Sequence, residues 1–292
     1  MRRHRPRSVS VVLPLLNKAD DLAAQLEALA TQEFDGPWEL VIADNGSTDG
    51  SLEVAREWAP RFASARIVEA PDSPNASRTR NRGAAVASGE LLLFTDADDL
   101  AQPGWIAGMA DAAPDGDVIA GGVSTGLLNE QSIRDWHVML PRERALAQYP
   151  FLSYASGTNT GVWADAFHEL GGFDEATSVG EDIELSWRAQ VAGYTLVHAP
   201  AALVEYRLRS TVSSLARQHY NYGQAGPHLY RRFRAHGMRR VEPRLAVRGW
   251  LRIALGWPGA IASRRQRGRW ALEAAFRAGQ MVACARERVV FL

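Results

Sequence analysis

Short apolar runs alternate with amphipathic stretches along the first two thirds of the chain. Ser8–Leu13 is a β-branched run closed by Pro14; Trp38–Ala43, Ala65–Val68 and Leu91–Phe94 are further runs of about the length of a buried strand. Between them, Ala19–Thr31 sets Leu22, Leu26 and Leu29 at helical spacing. Ser51–Trp58 follows a turn in which Ser47, Thr48 or Asp49 can cap a helix, and Asn75–Ala87 begins small and polar and ends helical. Strands alternating with helices predict a mostly parallel, doubly wound α/β sheet. Further on, Pro103–Ala112 reads as helix and Val118–Val123 as strand, whereas Asn129–Phe151 has no regular pattern. The polar, glycine-flanked segment Gly157–Gly161 leads to Trp163–Leu170, and a helix opens after Gly180 with its acids in the first turn, where the helix dipole favours them. Tyr194–His198 and Leu203–Leu208 read as two short strands. From Val212 the pattern is helical to the end, with breaks expected at Gly226-Pro227, Gly237 and Pro258-Gly259.

Composition adds three constraints. With 292 residues, 46% of them hydrophobic and 23% charged, the chain can bury a full core. One cysteine, Cys284, allows no internal disulfide and no thiolate cluster for zinc. The start, Met1 to Arg7 followed by Ser8–Leu16, has the outline of a signal peptide, but its apolar run is short, contains Pro14 and has no small-residue cleavage site. It reads as a first strand behind a basic tail, which predicts a cytoplasmic protein. The net charge of zero conceals an asymmetry: Arg207–Leu292 carries 18 Arg and 3 Glu, leaving 15 basic and 30 acidic residues before it. An acidic body is thus followed by a basic end.

The chemistry concentrates where the fourth apolar run stops. Leu91–Phe94 ends in Asp96, Asp98 and Asp99, and open α/β sheets place ligands beyond the carboxyl ends of their strands. Three acids so close repel one another unless a cation or hydrogen-bond donors compensate them. Mg²⁺ and Mn²⁺ take such oxygen ligands, commonly one or two carboxylates plus substrate phosphates. A metal–diphosphate site and a solvated acidic turn are both compatible with this stretch alone.

Several further motifs occur in a fixed order around it. Pro14 and Asn17 follow the first strand, Asp44-Asn45-Gly46-Ser47-Thr48-Asp49 the second, and Arg80-Asn81-Arg82-Gly83 precedes the central one. Asp96-Ala97-Asp98-Asp99 comes next, then Gly171-Gly172-Phe173-Asp174-Glu175 and the pair Glu181-Asp182. Together, over about Ser8 to Leu208, they resemble the family 2 glycosyltransferases, inverting enzymes of the GT-A fold. The resemblance implies a GT-A domain over 1–210, with a nucleotide-sugar half of about 8–100 and an acceptor half of about 101–210. Residues 211–292 would form a basic helical extension. It implies that Asp44 reads the nucleotide base beside Pro14 and Asn17, that Arg80 lies near the base or diphosphate, and that Asp96 contacts the ribose. Asp98 would ligate Mg²⁺ or Mn²⁺, and Asp182 would be the catalytic base with Glu181 beside it. Asn159, Trp187 and Arg188 would lie on the acceptor side. The donor expected is a nucleotide sugar, a UDP-sugar first because these are commonest in the family. The acceptor would be a carbohydrate or lipid-linked sugar of cell-envelope or polysaccharide synthesis; no nucleic-acid partner is expected.

The chain departs from the family pattern at two points. Many members carry an acid after the first-loop Asn, where this chain has Lys18, and a histidine in the strand after the base helix, where the register puts Tyr206. That contact is then lost, or supplied by His198 or His219. Other readings are weaker. An oxidoreductase would want Gly-x-Gly-x-x-Gly after the first strand, and a sugar-nucleotide pyrophosphorylase a glycine-rich basic first loop; Pro14-Leu15-Leu16-Asn17 has no glycine. A non-catalytic descendant would be expected to have lost Asp98 or Asp182. In the basic end, Arg244, Arg248 and Arg252 recur every fourth residue among Trp250, Leu251, Ile253, Leu255 and Trp257. A second cationic helix over Arg264–Arg277 carries Trp270, Leu272 and Phe276. That composition suits peripheral contact with an anionic membrane at its cytoplasmic face, or packing of the arginines against the acidic body.

Overall fold

The computed structural model of the chain describes residues 3–70, 75–136 and 151–291. These fall into two compact units, one of residues 3–70, 75–127 and 153–207, the other of 128–136, 151–152 and 208–291.

The first unit runs Val9–Leu15 (β1), Ala19–Ala30 (α1), Trp38–Asp44 (β2), Ser51–Trp58 (α2), Ala65–Glu69 (β3), Ala76–Val86 (α3) and Leu91–Phe94 (β4). The short Leu100–Ala101 (β5), Trp105–Ala112 (α4) and Val118–Ser124 (β6) follow. Among the described residues, eight strands form one sheet in the order β3-β2-β1-β4, then three strands contributed by later sequence and β5. The first four are parallel. Val12 pairs with Phe94 and Leu15 with Asp44, so β1, β2 and β4 end at one edge and their following loops are neighbours. Leu13, Leu40, Ile42, Leu91 and Phe94 are fully buried, as are Leu22, Leu26 and Leu29 on the inner face of α1. The predicted doubly wound, mostly parallel half is therefore present.

The other half of the sheet differs from its prediction. Thr160–Trp163 forms a strand, β7, antiparallel to both β4 and β6. The sequence hides it because Gly161 interrupts the apolar run. A Cβ there would lie 3.1–3.3 Å from Leu93, Met109 and Ile119, so the glycine lets the sheet pack rather than breaking it. Ala164–Glu169 (α6) and Glu181–Val191 (α7) follow; a single helical turn, Gln131–Arg134 (α5), precedes β7 in the chain. The two predicted late strands are one strand, Leu196–Glu205 (β8). Its register against β6 jumps from Gly121↔Ala199 to Gly122↔Leu203, so the stretch around Pro200 is looped out as a bulge.

The second unit is helical: Val212–Phe233 (α8), Pro243–Ala262 (α9) and Arg264–Glu287 (α10). Of the three expected breaks, only the one at Gly237 is found. α8 runs through Gly226-Pro227 and α9 through Pro258-Gly259. Two other glycines, Gly223 of α8 and Gly279 of α10, let these helices meet at their backbones. A Cβ on Gly223 would lie 2.0 Å from the Phe276 carbonyl oxygen, and one on Gly279 1.9 Å from that of Tyr220. Part of the irregular stretch 129–151, residues 137–150, lies outside the described residues. Among the described residues, no helix is long and apolar enough to cross a membrane.

Candidate active site

Two loops at the carboxyl edge of the sheet, those after β1 and β2, are tied to each other. Asn17 adopts a left-handed conformation at φ 52°, which lets its backbone N–H donate to the Ser47 hydroxyl at 3.0 Å. Its side-chain oxygen accepts from the Thr48 N–H at 2.8 Å. The Lys18 N–H donates to the Ser51 hydroxyl at 2.6 Å and the Ala19 N–H to Asp49 at 3.0 Å. Asp44, at the end of β2, is buried and accepts from the N–H groups of Gly46 and Ser47 at 3.1–3.3 Å. It thus closes the turn that presents Ser47–Asp49. Pro14 is the penultimate residue of β1, paired with Ala43.

The acids after β4 each have a different partner. Asp96 accepts from Arg80 at 2.8 Å. Asp98 is in contact with the Lys18 ammonium. Asp99, almost wholly buried, accepts from the Thr158 hydroxyl and, at 2.9 Å, from the Arg207 N–H. Burial raises the pKa of Asp96 against the opposing charge of Arg80. Burial, with the charge of Asp96 adding, raises that of Asp99 further. The loop itself is braced from below. Gln25 of α1, fully buried, donates to the Thr95 hydroxyl and the Asp96 carbonyl and accepts from the Ala101 N–H. From the other side, the Arg207 guanidinium donates to the Asp98 carbonyl at 2.9 Å and pairs with Asp21 at 3.1 Å.

Arg80 joins this edge to the start of α7. Its guanidinium is 5% exposed and reaches Asp96 at 2.8 Å and Glu181 at 2.9 Å, with the Phe173 ring centroid 5.5 Å away. Burial opposes its charge, yet Asp96 and Glu181 outweigh it and hold its pKa above the ordinary value. Its Nε is buried and makes no hydrogen bond among the described residues. Asp182 stands next to Glu181 in the first turn of α7, behind the left-handed Gly180. One oxygen accepts from the Gly157 N–H and the other from the Ile183 N–H, both at 2.8 Å. Burial pushes its carboxyl up to about 6, and the charge of Glu181 adds to this. A Cβ on Gly157 would lie 3.3 Å from an Arg80 nitrogen and 3.5 Å from Asp182, so this glycine keeps open the approach to both.

The acceptor-side predictions fall deeper. Asn159 and Trp187 have no exposed surface. Asn159 accepts from the Trp105 indole at 2.8 Å and donates to the Gly122 and Ala202 carbonyls, so it ties β7 to β6 and β8. Arg188 is partly buried: it pairs with Glu184 one turn earlier and donates to the Leu170 and Gly172 carbonyls. Through these bonds Asn159 and Arg188 hold neighbouring backbone in place. Asn81 does the same on the other flank, accepting from the Phe173 N–H and donating to the Phe173 carbonyl and Glu175. The sequence does not mark Asn81, Gln25 or Arg207 as site residues. Asn81 lies inside the Arg80-Asn81-Arg82-Gly83 motif, and Arg207 is one position beyond Tyr206, where the resemblance leads one to expect histidine; Gln25 has no sequence signal. His198 lies on β8 opposite Ala120 and His219 on α8 near Tyr222.

A divalent cation fits this edge only as a site completed by substrate. Among the described residues, no three His, Cys, Asp or Glu side chains are gathered to hold a metal. Asp96 and Asp99 are engaged by Arg80 and Thr158, and Asp98 by the Lys18 ammonium, a cation whose place a metal ion at Asp98 would take. One carboxylate with substrate phosphates is an ordinary donor set for Mg²⁺ or Mn²⁺.

Comparison with known proteins agrees with this architecture. The family model described as Glycosyl transferase family 2 matches residues 10–171, more than half of the chain, and that of Glycosyl transferase family group 2 matches 92–286. The chain is similar to the glycosyltransferase AglE of Haloferax volcanii, 26% identical over 65% of this chain and 64% of that one. It is similar to the succinoglycan biosynthesis protein ExoA of Rhizobium meliloti, 26% identical over 81% and 74%. A pre-mycofactocin glycosyltransferase of Mycobacterium tuberculosis is 24% identical over 76% of this chain, which spans only 47% of that protein. In fold, the chain resembles a mannosyltransferase of Pyrobaculum calidifontis solved with GDP-Man and Mn²⁺, with a TM-score of 0.66 at 20% identity over 96% and 87% of the two chains.

Proposed function

Because the chain belongs to glycosyl transferase family 2 and is a glycosyltransferase of GT-A fold, we propose that it transfers a sugar from a nucleoside-diphosphate sugar to an acceptor hydroxyl with inversion. The observation that carries this reading is Arg80, which holds Asp96, at the end of the central strand, together with Glu181, the neighbour of Asp182. The nucleotide end of the donor would lie over the stitched loops, with Asp44, Pro14 and Asn17 at the base and Asp96 at the ribose. Asp98 would hold Mg²⁺ or Mn²⁺ together with diphosphate oxygens, where the ion supplies Lewis-acid stabilisation of the leaving group. Lys18 must then withdraw from Asp98 or turn its ammonium to the same phosphates.

Asp182 is suited to the proton transfer. A carboxyl pushed up to about 6 is ionised at neutral pH yet far more basic than an ordinary aspartate. It would take the proton of the acceptor hydroxyl as that oxygen attacks the sugar C1. Attack from the face opposite the departing diphosphate, in one displacement, inverts the anomeric centre. Glu181 keeps Arg80 in place. Residues of about 101–210 would form the acceptor half, and 211–292 an extension.

The acceptor class we infer is a carbohydrate or lipid-linked sugar of envelope or polysaccharide synthesis, since ExoA is named for succinoglycan biosynthesis. A screen of UDP-, GDP- and dTDP-sugars with Mn²⁺ or Mg²⁺, reading thermal shift and slow donor hydrolysis, identifies the donor before the acceptor is known. Asp182→Asn should then keep donor affinity within a few-fold and lower transfer by roughly 10²–10⁴. Transfer near the wild-type rate would mean that another group is the base.

A further inference from the structure

The outward face of α9 carries an apolar row that nothing in the described structure covers. Val247, Leu251 and Leu255 recur every fourth residue, and Pro258 and Ile261 continue the row at intervals of three; the four large aliphatic side chains are 51–76% exposed. At 3.6 residues per turn these positions form one stripe. Exposed Arg244, Arg248 and Arg252 make a second row directly beside it, Arg252 pairing with Glu273 of α10 at 3.0 Å. The opposite face is the one that packs. A Cβ on Gly249 would lie 2.3 Å from the Arg277 guanidinium, and the Ile253 carbonyl accepts from the Trp270 indole of α10 at 2.8 Å. The stripe therefore points away from the helical unit, not into it.

We propose that this face of α9 docks the protein on an anionic lipid surface, lying in the interface with the aliphatic row down and the arginines among the headgroups. Three observations choose that occupant. The helix is not long and apolar enough to cross a bilayer, so on a membrane its apolar face would lie along the surface. The segment that carries it has 18 Arg and 3 Glu, so a second copy of the same surface would be met with like charge, whereas anionic lipid is complementary. Trp257, 56% exposed at the edge of the stripe, is the aromatic type that settles at the headgroup boundary. The inference is independent of the donor and base assignments, because binding to vesicles needs no catalysis.

The test is co-sedimentation of the full chain with extruded vesicles, one set of phosphatidylcholine alone and one of phosphatidylcholine with phosphatidylglycerol in equal parts, at low and high salt. The chain should pellet with the anionic set, much less with the neutral set, and less at high salt. Arg244→Gln and Arg248→Gln should each weaken partitioning about fivefold, the worth of one basic residue near such a surface. The pair Leu251→Gln with Leu255→Gln should weaken it more than either. All these positions are exposed, and an unchanged circular dichroism melt would confirm that the variants remain folded. Three results would overturn the proposal: a chain that stays in the supernatant with anionic vesicles, equal binding to both sets, or binding unaffected by the leucine pair. So would a concentration-dependent dimer abolished by the leucine pair in a chain that binds no vesicles, which would assign the stripe to a second copy.

Discussion

Replacing Arg80 by Met tests both the architecture of the site and its electrostatics. The guanidinium is 5% exposed and its partners Asp96 and Glu181 are 30% and 17% exposed, so its own charge is shielded from solvent and theirs are shielded in part. Removing one partner of a buried ion pair costs about 3–5 kcal/mol, because the remaining charge is left uncompensated. Here two carboxylates lose the same partner, but Asp96 is open enough to recruit water, which favours the lower end. Loss of the contact with the Phe173 ring adds about 0.5–1 kcal/mol. A destabilisation of about 3–4 kcal/mol should appear in urea unfolding followed by tryptophan fluorescence. The second readout is the acidic limb of the rate profile. If Asp182 is the base, as proposed, its reactive form is the carboxylate, and wild-type transfer should rise as pH increases through about 6. Arg80 is one of the groups that favour that carboxylate, so without it the limb should move to higher pH. Arg80→Lys should recover only part of both effects, since an ammonium cannot span two carboxylates as a planar fork does. A loss under 1 kcal/mol with an unmoved limb would refute the bridging role.

Two other changes probe neighbouring features. Lys18→Met removes the ammonium that lies against Asp98, so Mn²⁺ should bind more tightly by calorimetry without donor; equal or weaker binding would show that Lys18 does not compete for that position. Gly279→Ala would place a methyl 1.9 Å from the Tyr220 carbonyl oxygen and should lower stability by about 1–3 kcal/mol in urea unfolding, with donor hydrolysis at low denaturant unchanged; a neutral result would mean that the two helices separate freely.

What could be read from the chain divides along a physical line. β1, β2 and β4 are legible because both faces of each strand are covered, which leaves near-continuous apolar runs. β7 is not, because its Gly161 is selected by neighbours far away in sequence. Gly226-Pro227 and Pro258-Gly259 look like stops to any local rule, yet α8 and α9 continue through them, since tertiary packing overrides propensity. The motif residues Arg80, Asp96 and Glu181 can be picked out in one dimension and meet in three. Gln25, Asn81 and Arg207 each bond at least one backbone group, and a backbone partner has no sequence signature. The burial of Asn159 and Trp187 likewise depends on layers that form only on folding.

The lacing of Asn17 to Ser47 and Thr48, and of Lys18 and Ala19 to Ser51 and Asp49, gives two loops a single freedom of motion. Loops that order only when a ligand arrives lose entropy at that moment, and affinity falls accordingly. Here that entropy is already lost when the chain folds. A donor would meet two loops whose backbone shape does not depend on its presence, and a change at Asn17, Ser47, Asp49 or Ser51 would loosen both. Selectivity among nucleotides would then reside in small differences of contact on a rigid floor, not in which ligand can induce closure.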